Sequence, residues 1–344
     1  MPVINKALTL KDLPAPPSDK IGWPWTEENQ PLPERMPDGS EWPRISIVTP
    51  SYNYGQFIEE TIRSVLLQGY PNLEYIIIDG GSTDNTVEII KKYEKYFAYW
   101  VSEKDGGQTD AINKGYQHCT GDLFVWLNAD DSYTESSILQ KVVNYYLQGY
   151  QLIAGGCQDT YTQENEKKTY IYYSAPTTFE RYLKFWISNC NYTQPSVFVA
   201  KNIVDKCLPL DWQLYILMDY QFFLRVLSQK PKSIYVNQAW TNCKKHGLNK
   251  TMLDYPGGMS EFYQVSRSEA KKLSLWQQYL FLNELKDYTV IQSLLENFNS
   301  LTPMQVLSSL ASRPIIVRWP LFWKILLKYG IGTKAYSWLK KLAN

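Results

Sequence analysis

The chain has 344 residues with 44% hydrophobic and 20% charged content, a composition that excludes intrinsic disorder and allows a sizeable packed core. A net charge of +1 gives no electrostatic reason for a nucleic-acid partner, and none is expected. No apolar run approaches the roughly 20 residues that a membrane-spanning helix needs.

Residues 1–43 form a Pro- and Trp-rich extension. Pro24, Pro31, Pro33, Pro37 and Pro43 remove the amide donors of a helix, so the segment is expected to wrap over a domain or to stay loose. Pro14, Pro16, Pro17 and Asp19 interrupt the only stretch that could serve as an export signal. The cysteines, Cys119, Cys157, Cys190, Cys207 and Cys243, are odd in number and contain no CxxC pair. That pattern argues against a disulfide framework or a zinc knot and for a reducing, cytoplasmic compartment.

From residue 44 the pattern changes. A β-branched apolar run at 45–48 predicts a strand, and Ile58, Ile62, Val65 and Leu66 fall at helical spacing over 57–68. The alternation continues with a strand at 75–78, a helix at 87–96, a strand at 99–101, a helix at 109–118 and a strand at 123–127. Continuous apolar strands that alternate with helices predict an α/β fold, a Rossmann-like mixed, mostly parallel sheet with helices on both faces. Beyond residue 150 the order is mixed, with short strands at 152–154, 196–199 and 234–236 and a helix over 219–227.

Ligands of such sheets bind beyond the carboxyl ends of the strands, and polar clusters fall there. Thr49-Pro50-Ser51-Tyr52-Asn53 follows the first strand, Asp79-Gly80-Gly81 the second, and Asn128-Ala129-Asp130-Asp131 a later one. Adjacent acids after a buried strand suit a divalent cation that neutralises a diphosphate; equally, they suit the cap of a following helix. Asp79 can accept hydrogen bonds from a base or a ribose, or close a tight turn; its spacing does not fit a dinucleotide-binding GxGxxG. Tyr52 can stack on a nucleobase. Asp110, in a Gly-rich turn entering a helix, can face the same ligand or cap that helix. Asp219, at the start of an apolar helix, has two readings: a general base raised by an aromatic pocket, or an acid favoured by the helix dipole. His246, beside Lys244 and Lys245, is a metal ligand or an exposed loop residue.

The order and spacing of Val48-Thr49-Pro50-Ser51-Tyr52-Asn53, Glu60-Thr61-Ile62-Arg63-Ser64-Val65, Ile78-Asp79-Gly80-Gly81-Ser82-Thr83-Asp84, Asp110-Ala111-Ile112-Asn113-Lys114-Gly115 and Leu127-Asn128-Ala129-Asp130-Asp131 closely resemble family 2 glycosyltransferases from residue 44 to about 158. The resemblance implies a GT-A fold over 44–255, with a donor half at 44–158 and an acceptor half at 159–255. It implies an inverting transfer, of hexosyltransferase type, from a nucleotide-diphospho-sugar, UDP-linked, to a hydroxyl on a glycan or lipid-linked acceptor, in cell-surface polysaccharide or glycolipid synthesis. Thr49, Tyr52, Asp79, Asp110, Asn128 and Asp130 are the donor-binding residues this implies. Asp130, Asp131 and His246 are the implied ligands of Mn or Mg, and Asp219 is the implied base. The chain departs from the family at Asn128, where Asp is usual, at Gln221, where Asp is often found, and in Cys243-Lys244-Lys245-His246, where Tyr-Arg-x-His is common.

Residues 256–344 are expected to be helical and basic. From residue 301 onward there are Arg313, Arg318, Lys324, Lys328, Lys334, Lys340 and Lys341 and no acid, and 303–344 also carries interfacial aromatics. This tail reads as a peripheral membrane contact at the inner face, or as a helical pair packed on the catalytic domain. Two competing functions stand beside sugar transfer. A sugar nucleotidyltransferase requires a basic Gly-rich loop, yet 49–55 contains neither Lys nor Arg. A catalytically idle binding protein of the same fold has no need to keep Asp79, Asp130, Asp131, Asp219 and His246.

Overall fold

The computed structural model describes residues 4–163, 166–184, 192–247, 249–250 and 258–296. They fall into two compact units that divide between Val265 and Ser266. In the first, β1 (Ile45–Ser51) and β2 (Leu73–Asp79) are buried along their whole length, and β3 (Tyr99–Ser102) is half-buried. α1 (Ile58–Leu66), α2 (Thr86–Tyr93) and α3 (Gln108–Tyr116) make the crossovers. β4 (Leu123–Trp126) completes a block in which β1 pairs in parallel with β2 and β4, and β2 with β3. Helices on both faces exclude water from these strands, hence their unbroken apolar runs. A Cβ on Gly115 of α3 would lie 2.5 Å from Val48 Cγ1, so that helix rests directly on β1.

The chain continues through β5 (Asp131–Tyr133), α4 (Ile138–Leu147), β6 (Leu152–Gln163), β7 (Glu166–Tyr173), α5 (Phe179–Leu183) and β8 (Val197–Ala200). Then come α6 (Lys201–Val204), α7 (Met218–Ser228), β9 (Ser233–Lys245) and α8 (Gly258–Glu269). The sheet order is β3-β2-β1-β4-β8-β6-β9-β5, with β7 paired to β6. Because β8 is antiparallel to both β4 and β6, β6 runs in the direction of β4. The carboxyl ends of β1, β2, β4 and β6 therefore point the same way. The expected α/β architecture is present: a parallel block, extended by a mixed half.

The expected strands at 152–154 and 234–236 are only the opening residues of β6 and β9. Both run on past Gly155-Gly156, where their parallel register shifts, into polar, half-buried sequence without apolar alternation. β5 and β7 have no counterpart among the expected elements, while α4 is the helix expected to follow the Asp130-Asp131 turn. Cys157 and Cys243, which the odd cysteine count leaves unpaired, are joined as a disulfide with their Cα atoms 6.6 Å apart. A sequence separation of 86 hides this pairing; the β6–β9 register, with Cys157 opposite Thr241 and Asp159 opposite Cys243, creates it. Cys119 and Cys207 are buried.

The N-terminal extension belongs to the first unit. Ile4 bridges Leu73 on β2, and Trp23 Nε1 donates to the Tyr133 carbonyl at 2.8 Å. Arg63 on α1, fully buried, explains the wrapping. Its guanidinium donates to the carbonyls of Pro14, Pro24 and Trp25 at 2.8 to 3.1 Å and lies over the Trp25 ring. A buried guanidinium needs acceptors, and the extension supplies them.

In the second unit, α9 (Leu275–Glu296) buries Phe281, Leu285 and Tyr288, a stripe at helical spacing. No helix among the described residues is long and apolar enough to cross a membrane. The basic segment 303–344, with the membrane contact or packing expected of it, lies outside the described residues.

Candidate active site

The carboxyl ends of β2, β1 and β4 are adjacent, which gathers the polar clusters along one edge of the sheet. The loop after β1 is tied to the turn after β2. Asn53, at φ 55°, donates its amide to Ser82 Oγ at 2.7 Å and accepts from the Thr83 amide at 2.8 Å. Asp84 accepts from the amides of Gly55 and Thr86, the capping role of a helix N-terminus. This lacing presents the Tyr52 ring at the rim, 56% exposed and open to stacking. Thr49 lies inside β1, fully buried, its hydroxyl 3.1 Å from that of Tyr75.

Asp79 is also fully buried. Its Oδ2 accepts from the Ser82 amide at 2.8 Å and Ser102 Oγ at 2.6 Å, and its Oδ1 from Ser82 Oγ at 2.5 Å. With the Gly81 amide at 3.2 Å these fill about as many acceptor positions as a carboxylate offers, so Asp79 organises the turn. Gly81, at φ 81° and backed by the Lys104 amide, leaves no room there for a side chain. Asp105 approaches Gly80 from the opposite loop; burial pushes its carboxyl above the ordinary value. Asp110 accepts from the Gly106 amide at 3.0 Å and pairs with Lys114 at 3.3 Å, which caps and charges the first turn of α3.

Beyond β4, Asn128 is a hinge of hydrogen bonds. Its Oδ1 accepts from Gln108 Nε2 at 2.8 Å, and its Nδ2 donates to Asp131 Oδ2 at 3.0 Å. The amide in place of the usual acid thus bridges α3 to Asp131. Asp131 is buried, and burial first, then the neighbouring Asp130 charge, holds its carboxyl well above the ordinary range. Asp130 turns elsewhere: its Oδ2 lies 3.1 Å from His246 Nε2 and accepts from Asn249 Nδ2 at 2.7 Å. The imidazole is oriented by Phe57, stacked at 4.3 Å, and by the edge of Tyr54 at 6.1 Å. Asn249 also accepts from the His246 amide at 2.6 Å, closing the loop after β9. Residues 116 apart in sequence thus present a carboxylate oxygen and an imidazole nitrogen to one point.

Asp219 is the second residue of α7, half-buried. It accepts from the Tyr220 amide at 2.7 Å, while burial pushes its carboxyl up to about 6. Glu261 of α8 accepts from the amides of Tyr215, Ile216 and Leu217 at 2.7 to 3.1 Å, capping the segment that leads into α7. Thr109 and Asn113 of α3 bond the backbone at Leu214 and Leu210. Buried Gln221 accepts from the Asp211 amide at 2.9 Å, so the position where family members often carry Asp is occupied by a loop anchor. Lys250 lies over the Tyr215 ring at 4.4 Å. Burial lowers its ammonium below the ordinary value, with Asp105 and Glu261 opposing that shift.

Sequence reasoning held Asp105 and Gln108 only as part of the Gly-rich turn before Asp110, and gave no role to Asn249, Lys250 and Asp159. Only Asn249 carried a local signal, three residues after His246. The others depend on loops meeting in space.

Comparison with known proteins follows the same outline. Residues 46–208 match the model of Glycosyl transferase family 2. An uncharacterized glycosyltransferase of Mycobacterium tuberculosis is 39% identical over 102 residues, covering 29% of this chain and 39% of that protein. TuaG of Bacillus subtilis, named for teichuronic acid biosynthesis, is 34% identical over 143 residues, 37% of this chain and 56% of that one. The match therefore spans well under two thirds of either relative. Among solved structures, S. aureus TarS 1-349 in complex with UDP-GlcNAc superposes with a TM-score of 0.58 at 16% identity, covering 80% of this chain and 81% of that one. Fold, motif order and family match coincide: residues 46–208 are similar to family 2 glycosyltransferases, on a fold like that of TarS.

Proposed function

We propose that the protein transfers a sugar from a nucleotide-diphospho-sugar to a hydroxyl of a cell-surface glycan or glycolipid, with inversion at the anomeric carbon. The observation that carries this reading is the convergence of Asp130 and His246, with Asn249 behind them, at the carboxyl edge of the sheet. UDP as the nucleotide is supported by the TarS structure, solved with UDP-GlcNAc; a surface polysaccharide as the product is supported by the name of TuaG.

The donor set fits a divalent cation. A buried carboxylate and an imidazole that share one point suit Mn or Mg with oxygen- and nitrogen-donor ligands, and Asp130 and His246 would hold it. When bound, the ion supplies charge neutralisation to the leaving diphosphate. In this reading Asp131, tied to Asn128, shapes the site from one side. Tyr52 stacks on the base, Asp79 and its turn receive the nucleoside, and Lys250 faces the diphosphate. Thr49 and Asp110 support these loops.

Asp219 accepts the proton of the acceptor hydroxyl. The freed oxygen attacks the anomeric carbon as the bond to the diphosphate oxygen breaks, and the nucleoside diphosphate leaves. A carboxyl raised to about 6 by burial is basic enough for this work yet ionised at neutral pH.

The test is a thermal-shift screen of UDP- and GDP-sugars with and without Mn, on the native protein and Asp130→Ala. A Mn-dependent shift lost in Asp130→Ala is expected. An equal shift in that variant would remove Asp130 from the metal site, and no shift with any sugar nucleotide would sink the transferase reading.

A further inference from the structure

We propose that Tyr170 and Tyr172 of β7, with Tyr161 of β6, form a stacking platform that guides a hydroxyl-rich glycan acceptor into the site. The inference rests on the transferase reading above and names the surface that receives the second substrate. Its basis is strand register. Asp131 on β5 lies opposite Cys243 on β9, Cys243 opposite Asp159 on β6, and Asp159 opposite Tyr170 on β7. Residues opposite one another share a face of the sheet, so this single row runs from the acids of the site to the tyrosine. One row along, Cys157 lies opposite Tyr172; on the other side, Tyr161 lies opposite Lys245. Contacts agree with the shared face: Lys245 Nζ is 3.2 Å from Asp159 Oδ1, and the Tyr161 and Tyr170 rings meet edge-on at 5.8 Å. Asp131 on this face bonds Asn128, so the face looks into the candidate site.

Burial grades along the row. Asp131 and Cys243 are buried and Asp159 is half-buried, while Tyr170 and Tyr172 are 52% and 49% exposed. A lone exposed ring is ordinary, but neighbouring exposed aromatics on an edge strand mark an interaction surface. β7 pairs with β6 alone among the described strands.

The chemistry selects a glycan. Aromatic faces carry negative charge density and meet the C–H faces of sugar rings, and tyrosine offers rigid, amphipathic contact at low entropic cost. Lys168, exposed on the same face of β7 and opposite Tyr161, suits hydroxyls rather than acyl chains. A glycan laid across the row Tyr170, Asp159, Cys243 therefore leads toward Asp131.

The acceptor is unidentified, so the probe is an array of purified bacterial capsular and cell-wall polysaccharides, read with labelled full-length protein in UDP and Mn. The native chain is expected to bind a subset of the array. Tyr170→Ala/Tyr172→Ala should weaken that binding about tenfold or more, a loss of roughly 1.4 kcal/mol, and Tyr170→Phe/Tyr172→Phe should retain it. All three proteins should keep the same nucleotide-driven thermal shift, which separates loss of the platform from loss of the fold or of donor binding. Unchanged array binding by the alanine variant, or no array binding by the native chain, overturns the proposal. So does a variant that loses binding only to phosphatidylglycerol vesicles, since the rings would then face a membrane. Absence of any nucleotide-driven shift would instead defeat the transferase reading on which this one stands.

Discussion

At the proposed site single residues should decide turnover. Asp219 is the clearest case, because its carboxyl is raised to about 6 by burial and a base works only when ionised. Below pH 6 the carboxyl holds its proton and transfer should fall; above it the rate should level off. The expected outcome is an acid limb near pH 6 in kcat, and for Asp219→Asn a rate lower by about a hundredfold or more with that limb absent. An acid limb that persists in the variant would assign the base elsewhere. Asn249 tests the proposed metal site. It donates to Asp130 and lies 3.2 Å from His246 Nε2, the position of a group that orients ligands. Asn249→Ala should weaken Mn binding by about 10- to 100-fold, measured by calorimetric titration in the presence of UDP, with kcat restored at saturating Mn. Unchanged affinity would make Asn249 a loop residue only.

At the scale of elements, the strap over α1 makes a claim of its own. Arg63 satisfies the carbonyls of Pro14, Pro24 and Trp25 from inside the protein, and buried acceptors left without donors cost about 1–3 kcal/mol each. Arg63→Met should therefore lower stability in urea by about 3 kcal/mol or more and expose the segment before residue 44 to trypsin. A loss below about 1 kcal/mol would mean that water replaces the guanidinium. This part of the fold was half legible. Prolines in 1–43 announced an irregular segment, but not that an arginine at a helical position in α1 would be its anchor, because a sequence does not tell a buried Arg from an exposed one. β5 and β7 were illegible for a related reason: three residues after an acidic turn, and a strand exposed at an edge, carry no apolar alternation. The first βα units were readable because burial on both faces forces their strands to be apolar from end to end.

For the whole molecule, binding and folding are linked. A ligand that binds only the native state stabilises it in proportion to its concentration over Kd, by about 2.7 kcal/mol at a hundredfold excess. The matching sugar nucleotide with Mn should raise the melting temperature, and EDTA should remove most of that rise. A nucleotide-driven shift indifferent to EDTA would show donor binding without a metal and remove the metal from the Asp130–His246 pair.

What the sequence determined alone is one edge of the sheet: strands 45–48, 75–78 and 123–127, and the motifs that follow each, because parallel strands buried on both faces have a local, continuous signature and their carboxyl ends must meet. Tertiary structure alone decided which polar groups share a point. His246 reaches Asp130 only because β9 returns beside β6 and β5; Asp131 and Asp159 look across Cys243 only through strand register; Asp79 proves to be a buried organiser of its turn. These are contacts between residues far apart in the chain, and neither periodicity nor motif spacing carries the register that creates them.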